Sequence, residues 1–275
     1  MILQLTGQNE RLADPYKEFY GQPIEQMPLL VSGKDKKGNV IDVPRVPISF
    51  ADVLERRINA PEDVRRAWQN NYVFTGDGST AGIEGDHLIV LDAQALREMT
   101  PESELHTGAL VLPVDVWQEL KSQKEKVVYL TAHEVKEANG KGYVKKDGIW
   151  APENRSVGKV LNALGRGKDL NSLCSTYERC FPRSNSMLNV YFNKITKNDK
   201  PTMQSCCVGS DVYGNGNLDD GSGRLVGVAP EAHLTREKVL EARVHSAIEK
   251  GLSFERKDGL LYVPVDRTAA TQLRR

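Results

Sequence analysis

"GYVKKDGIWAP", residues 142–152, and "SFERKDGLLYVP", residues 253–264, write one pattern twice: an aromatic residue, basic residues, Asp-Gly, then an apolar run. Asp-Gly is the pair a two-residue type I′ turn demands, because both central residues take positive φ. Each stretch therefore reads as a β-hairpin. Both follow a segment of helical periodicity that ends in glycine, at Gly140 and Gly251. Both place an aromatic residue three positions later, at Tyr143 and Phe254. The chain thus builds helix, glycine stop and basic hairpin twice. Convergence accounts for this more simply than duplication, since Asp-Gly turns are common and lysine sits cheaply on an exposed strand edge.

Working outward from the hairpins, further helices declare themselves by their caps. Ser49 caps a segment with Phe50, Val53 and Leu54 on one face. "PEDVRRAWQNN" (61–71) places Glu62 and Asp63 where the helix dipole favours anions. A helix starts near Pro113, and Thr131 caps another that Gly140 closes. Asn154 caps a helix in which Val157, Val160, Leu161 and Leu164 recur at i, i+3, i+4 and i+7. Thr235 caps 236–250, with Leu240, Val244, Ala247 and Ile248 as its apolar face. "HLIVLD", "KVVYL" and "SMLNVYFNKI" read as strands. The first 45 residues show little periodicity, and "LLVSGKDKKGNVIDVPRV" reads as two short strands around a Lys-Lys-Gly-Asn turn. The expected fold class is α+β, with several hairpins and about six helices. It forms one unit over 1–275, with a possible subdivision into 1–120 and 121–275.

Composition narrows the class. The longest apolar runs are four residues or so, far short of the roughly 20 a bilayer span needs. The N-terminal "MILQLTGQNERL" has no basic n-region and no sustained apolar stretch. A soluble, cytoplasmic protein with reduced thiols is expected. The cysteines are Cys174, Cys180, Cys206 and Cys207. Five residues separate the first two, wider than zinc sites use, so no metal and no cofactor is expected. Gly76, Gly78 and Gly82 form G-x-G-x-x-x-G before a β-rich run rather than a helix, so they read as a hairpin loop, not a phosphate cradle. "DVYGNGNLDDGSG" (211–223) is rich in oxygen ligands but breaks the EF-hand pattern and reads as a surface loop.

Charge is uneven beneath a net of zero. Residues 51–120 hold 5 Lys and Arg against 13 Asp and Glu, and residues 121–200 hold 16 against 8. Either the basic block meets an anionic partner or the two blocks face each other. On the first reading, Lys141, Lys145, Lys146, Arg155, Lys159, Arg166 and Lys168 contact phosphates, and Tyr143 and Trp150 stack on bases. The helix-plus-basic-hairpin order resembles, in shape, the back half of a winged-helix DNA-binding domain. That family implies a recognition helix in the major groove and a hairpin touching the backbone. The second copy departs from it, because a Gly/Asp loop precedes Thr235 where helices belong. The leading expectation is a nucleic-acid or polyanion binding module with no membrane partner, its oligomeric state open. The alternatives are an enzyme whose cleft is built from the 75–82 and 211–220 loops and a histidine, or a structural, protein-binding role.

Overall fold

The computed structural model describes residues 3–8, 15–180, 185–192, 200–230, 255–257 and 260–262. Contacts divide the chain into two units, 1–229 and 230–275.

The first unit opens with strand β1 (Tyr16–Tyr20) and helix α1 (Pro23–Ser32), then β2 (Val46–Pro47), α2 (Phe50–Asn59) and α3 (Glu62–Asn70). Strands β3 (Val73–Ala81) and β4 (His87–Val90) follow, then α4 (Gln94–Glu98), β5 (Leu105–His106), β6 (Ala109–Val111), α5 (Val114–Ser122) and β7 (Val127–Leu130). Next come α6 (Ala132–Ala138), the hairpin β8 (Lys141–Lys146) and β9 (Ile149–Pro152), α7 (Arg155–Gly165) and α8 (Leu170–Cys180). Strands β10 (Ser186–Phe192), β11 (Thr202–Val208), β12 (Val212–Gly216) and β13 (Arg224–Val228) complete it. The α+β expectation holds, with eight helices among the described residues.

All thirteen strands of this unit join one mixed sheet, whose main path runs β1-β13-β3-β11-β12-β10-β8-β9. Its first and last strands lie side by side, antiparallel, from Tyr16↔Val228 to Tyr20↔Arg224. The sheet buries both faces, and the sequence alternation follows from that. On β3, Val73 enters one core and Phe74 the other. On β4, Ile89 points one way and Leu88 and Val90 the other. Helices α2, α3, α7 and α8 cover the first face, and α1, α4 and α5 the second. Period-two side-chain direction is what lets one strand feed two cores.

The caps are as the sequence implies. Ser49 accepts from Asp52 N, Asn154 from Val157 N, and Thr131 and Glu134 form a reciprocal capping box. Val157, Val160, Leu161 and Leu164 are all fully buried. In the 141–152 hairpin, Asp147 and Gly148 have φ of 51° and 83°, as a type I′ turn requires. The second unit is described only as a hairpin, β14 (Glu255–Lys257) with β15 (Leu260–Tyr262). There Lys257 pairs with Leu260, matching Lys146 with Ile149 in the first copy. The helix expected over 236–250 lies outside the described residues.

Three local readings are corrected. The 75–82 segment is no loop: residues 75–81 belong to β3, and the turn falls at 82–86. Its glycines serve close packing. A Cβ at Gly76 would sit 3.0 Å from Pro47 Cβ, and one at Gly78 would sit 3.1 Å from Ala93 Cβ and Met203 Sδ. The 208–223 loop contains β12. Residues 23–32 form α1, hidden in the sequence by Pro23 and Pro28, although Pro23 sits at the helix start where proline fits.

Candidate ligand-binding site

The basic block of 141–168 is largely spent inside the protein. Lys141 pairs with Glu153, Lys145 with Glu178 and Lys159 with Glu134, each at 2.7 Å. Arg166 meets Asp77 at 2.6 Å, and Lys168 pairs with Glu55. Lys146 and Arg155 are exposed and carry no ion pair among the described residues. Tyr143 is 4% and Trp150 2% exposed, so neither ring can stack on a base. Part of the acidic and basic blocks do face each other, through Glu55 and Asp77; the other three pairs form within the basic block.

The expected 75–82 and 211–220 cleft does not form either. Thr75 and Asp77 are fully buried in β3. The Asp77 carboxylate accepts from Phe50 N at 2.7 Å, Asp92 N at 2.8 Å and Arg166, which tie α2 and the turn after β4 to the sheet. His87 is buried against Phe192, while His106 and His133 are exposed. His233 and His245 lie outside the described residues. No cluster of three metal-ligating side chains exists among the described residues.

What the fold does build is a recess of about 400 Å³ beside β12. Along 211–219 the chain alternates strictly. Val212, Gly214, Gly216 and Leu218 point inward, whereas Asp211, Tyr213, Asn215, Asn217 and Asp219 point outward or are half-exposed. The inward glycines are demanded by crowding. A Cβ at Gly216 would lie 2.2 Å from Cys207 Sγ, and one at Gly214 would lie 2.9 Å from Ser79 Oγ. Tyr213, Asn215 and Asn217 form one wall. Tyr72, 39% exposed, forms the other, with Phe74 and Cys207 as the floor. Tyr213 also stacks on Tyr191 of the neighbouring strand, ring centres 5.3 Å apart.

The Tyr72 hydroxyl donates to Asp220 Oδ2 at 3.3 Å and lies 3.3 Å from Ser222 Oγ. Burial pushes its pKa up, and the Asp220 charge adds to this. Burial likewise raises Tyr213, with Asp211 contributing. Asp211 accepts from the Asn189 backbone and side chain at 3.1 and 2.9 Å. Burial also holds the Cys207 thiol well above its usual range, so it remains protonated.

Arg57, 1% exposed, fixes both walls from behind. Nε donates to Trp68 O at 2.9 Å. Nη1 donates to Tyr177 Oη at 2.8 Å and to Gly209 O. Nη2 donates to Asn71 O at 2.7 Å and Val208 O at 2.8 Å. All five N–H groups are used. One wall begins right after Asn71, and the other turns at 208–210.

Neither the family models nor the curated proteins yield a match. A solved structure described as "Accommodation of massive sequence variation in Nanoarchaeota by the C-type lectin fold" aligns with a TM-score of 0.52. The alignment covers 78% of this chain and 97% of that chain at 16% identity. The chain is similar in fold to that C-type lectin-fold structure. This lectin-like fold overturns the nucleic-acid module and the winged-helix likeness: the 141–152 hairpin is two strands of a large sheet, not a free wing. No helix among the described residues is long and apolar enough to cross a membrane.

The sequence reading missed Tyr72, Tyr213 and Arg57. A signal for Tyr213 was present in the alternation of "DVYGNGNLD". None existed for Arg57, whose partners lie up to 152 positions away.

Proposed function

We propose that this chain is a recognition module, in which the lectin-like fold is a rigid frame and the β12 row with its recess is the contact surface. The observation that carries this reading is the alternation along 211–219. Inward positions are fixed by packing, while outward positions offer a phenol, amides and carboxylates beside a concavity. A recess of this size, with an aromatic floor and a few polar groups, is the usual form of a small-ligand site. The fold likeness supports the reading too, since the neighbour is described as accommodating sequence variation on this fold.

The test is a ¹H–¹⁵N NMR titration of the protein with a panel of monosaccharides, amino-acid amides and small organic cations. Shifts confined to Tyr72 and residues 207–220 are expected for at least one class. Shifts that cluster elsewhere, or none across the panel, would refute the assignment.

A further inference from the structure

We infer that the recess takes an organic cation: an ammonium or guanidinium head group carried on an apolar stem. The inference rests on the recess being the binding site and adds the ligand's chemistry. Between residues 201 and 223 the chain has three aspartates, Asp211, Asp219 and Asp220, and no lysine or arginine. No cation pairs with any of them among the described residues. This contrasts with the 141–168 segment, where most charges are matched at 2.6–2.7 Å. Arg57, buried behind the recess, spends its N–H groups on four carbonyls and a hydroxyl, so none is left to donate to a ligand. Of the three aspartates, Asp220 lines the recess, and it is the one charged side chain among the lining residues.

The second feature is aromatic. Tyr72 and Phe74 lie with ring centres 5.9 Å apart and tilted by 46°, and Tyr213 faces the same space. Ring faces attract cations through their quadrupole, and an ammonium group within about 6 Å of a centroid is held by it. The rings also suit the methylene or methyl groups next to the charge. A metal ion would find no such match, because Asp211 and Asp220 already accept internal hydrogen bonds and no group of three His, Cys, Asp or Glu side chains that could hold one exists among the described residues. The walls bring carboxylate and ring to one side of the cavity through the Tyr72–Asp220 hydrogen bond. The same head group occurs in a lysine or arginine side chain of a partner protein and in a free quaternary ammonium compound.

Isothermal titration compares choline with 3,3-dimethyl-1-butanol, its uncharged isostere, and with Nα-acetyl-lysine amide. Choline or the lysine amide should bind at least about tenfold more tightly than the isostere, with affinity falling as salt rises. Asp220→Asn and Tyr213→Leu should each remove most of that preference, and Lys168→Ala should not. Preference for the lysine amide indicates a protein source, and preference for choline a small molecule. Equal binding of choline and the isostere in the recess overturns the cation assignment while leaving the site in place. Loss of preference in Lys168→Ala as well overturns it too, because the effect would then be global.

Discussion

Arg57→Met should be among the most damaging single substitutions in the protein. The side chain is similar in length, so the change removes donors more than volume. Five acceptors lose their partner: Trp68 O, Tyr177 Oη, Gly209 O, Asn71 O and Val208 O. Hydrogen bonds to a charged donor contribute roughly 1.5–3 kcal/mol each, but losses within one hub are far from additive. Relief comes from no longer burying a cation that has only dipoles around it. A net loss of about 3–5 kcal/mol is expected, against a total stability of roughly 5–15 kcal/mol. For a unit of this size that corresponds to a fall in Tm of roughly 6–20 °C. Urea unfolding followed by tryptophan fluorescence reads it directly, since Trp68 is one of the partners. Arg57→Lys should recover only part of the loss, because a single ammonium cannot reach acceptors spread around a planar fork. A loss under about 1 kcal/mol for Arg57→Met would refute the clasp, since a side chain bridging α2, α3, α8 and the 208–210 turn cannot be that dispensable.

Further outcomes follow from the same geometry. Gly216→Ala should cost about 1–3 kcal/mol through the Cys207 and Phe74 contacts, whereas Asn215→Ala, one step away and outward, should stay within about 0.5 kcal/mol by thermal unfolding. Lys145→Ala should change stability by less than about 1 kcal/mol, because its pair with Glu178 is over a third exposed on both sides and screened by solvent. Burial lowers the His87 pKa below its ordinary 6.5, so the unfolded chain binds this proton more readily. The His87 contribution is therefore present above about pH 6.5 and is lost as pH falls below it, at up to about 1.4 kcal/mol per pH unit. Stability measured from pH 7.5 to 5 should decline less in His87→Gln than in the parent chain.

Much of the local structure was legible without coordinates. Ser49, Thr131 and Asn154 act as caps because short polar side chains reach the free N–H groups of a first helical turn. The α7 face and the Asp147-Gly148 turn follow from periodicity and φ preference alone. The strand β3 was not legible, because "TGDGST" has the composition of a turn and its glycines acquire meaning only from Pro47, Ala93 and Met203 pressed against them. Helix α1 was obscured by two prolines of which one is a favourable start. The recess was half visible in the alternation of 211–219, but its other wall starts at Tyr72, far upstream in the sequence.

The sequence by itself determined the α+β class, the caps at Ser49, Thr131 and Asn154, the buried face of α7 and the two hairpins, since each depends on neighbours within a turn or two. Only the tertiary structure decided that the basic residues of 141–168 are mostly answered by Glu55, Asp77, Glu134, Glu153 and Glu178, and that no cation among the described residues pairs with the aspartates of 211–220. A charge's role depends on what stands within about 4 Å of it, and the long-range strand pairing that brings those groups together leaves no local mark in the chain.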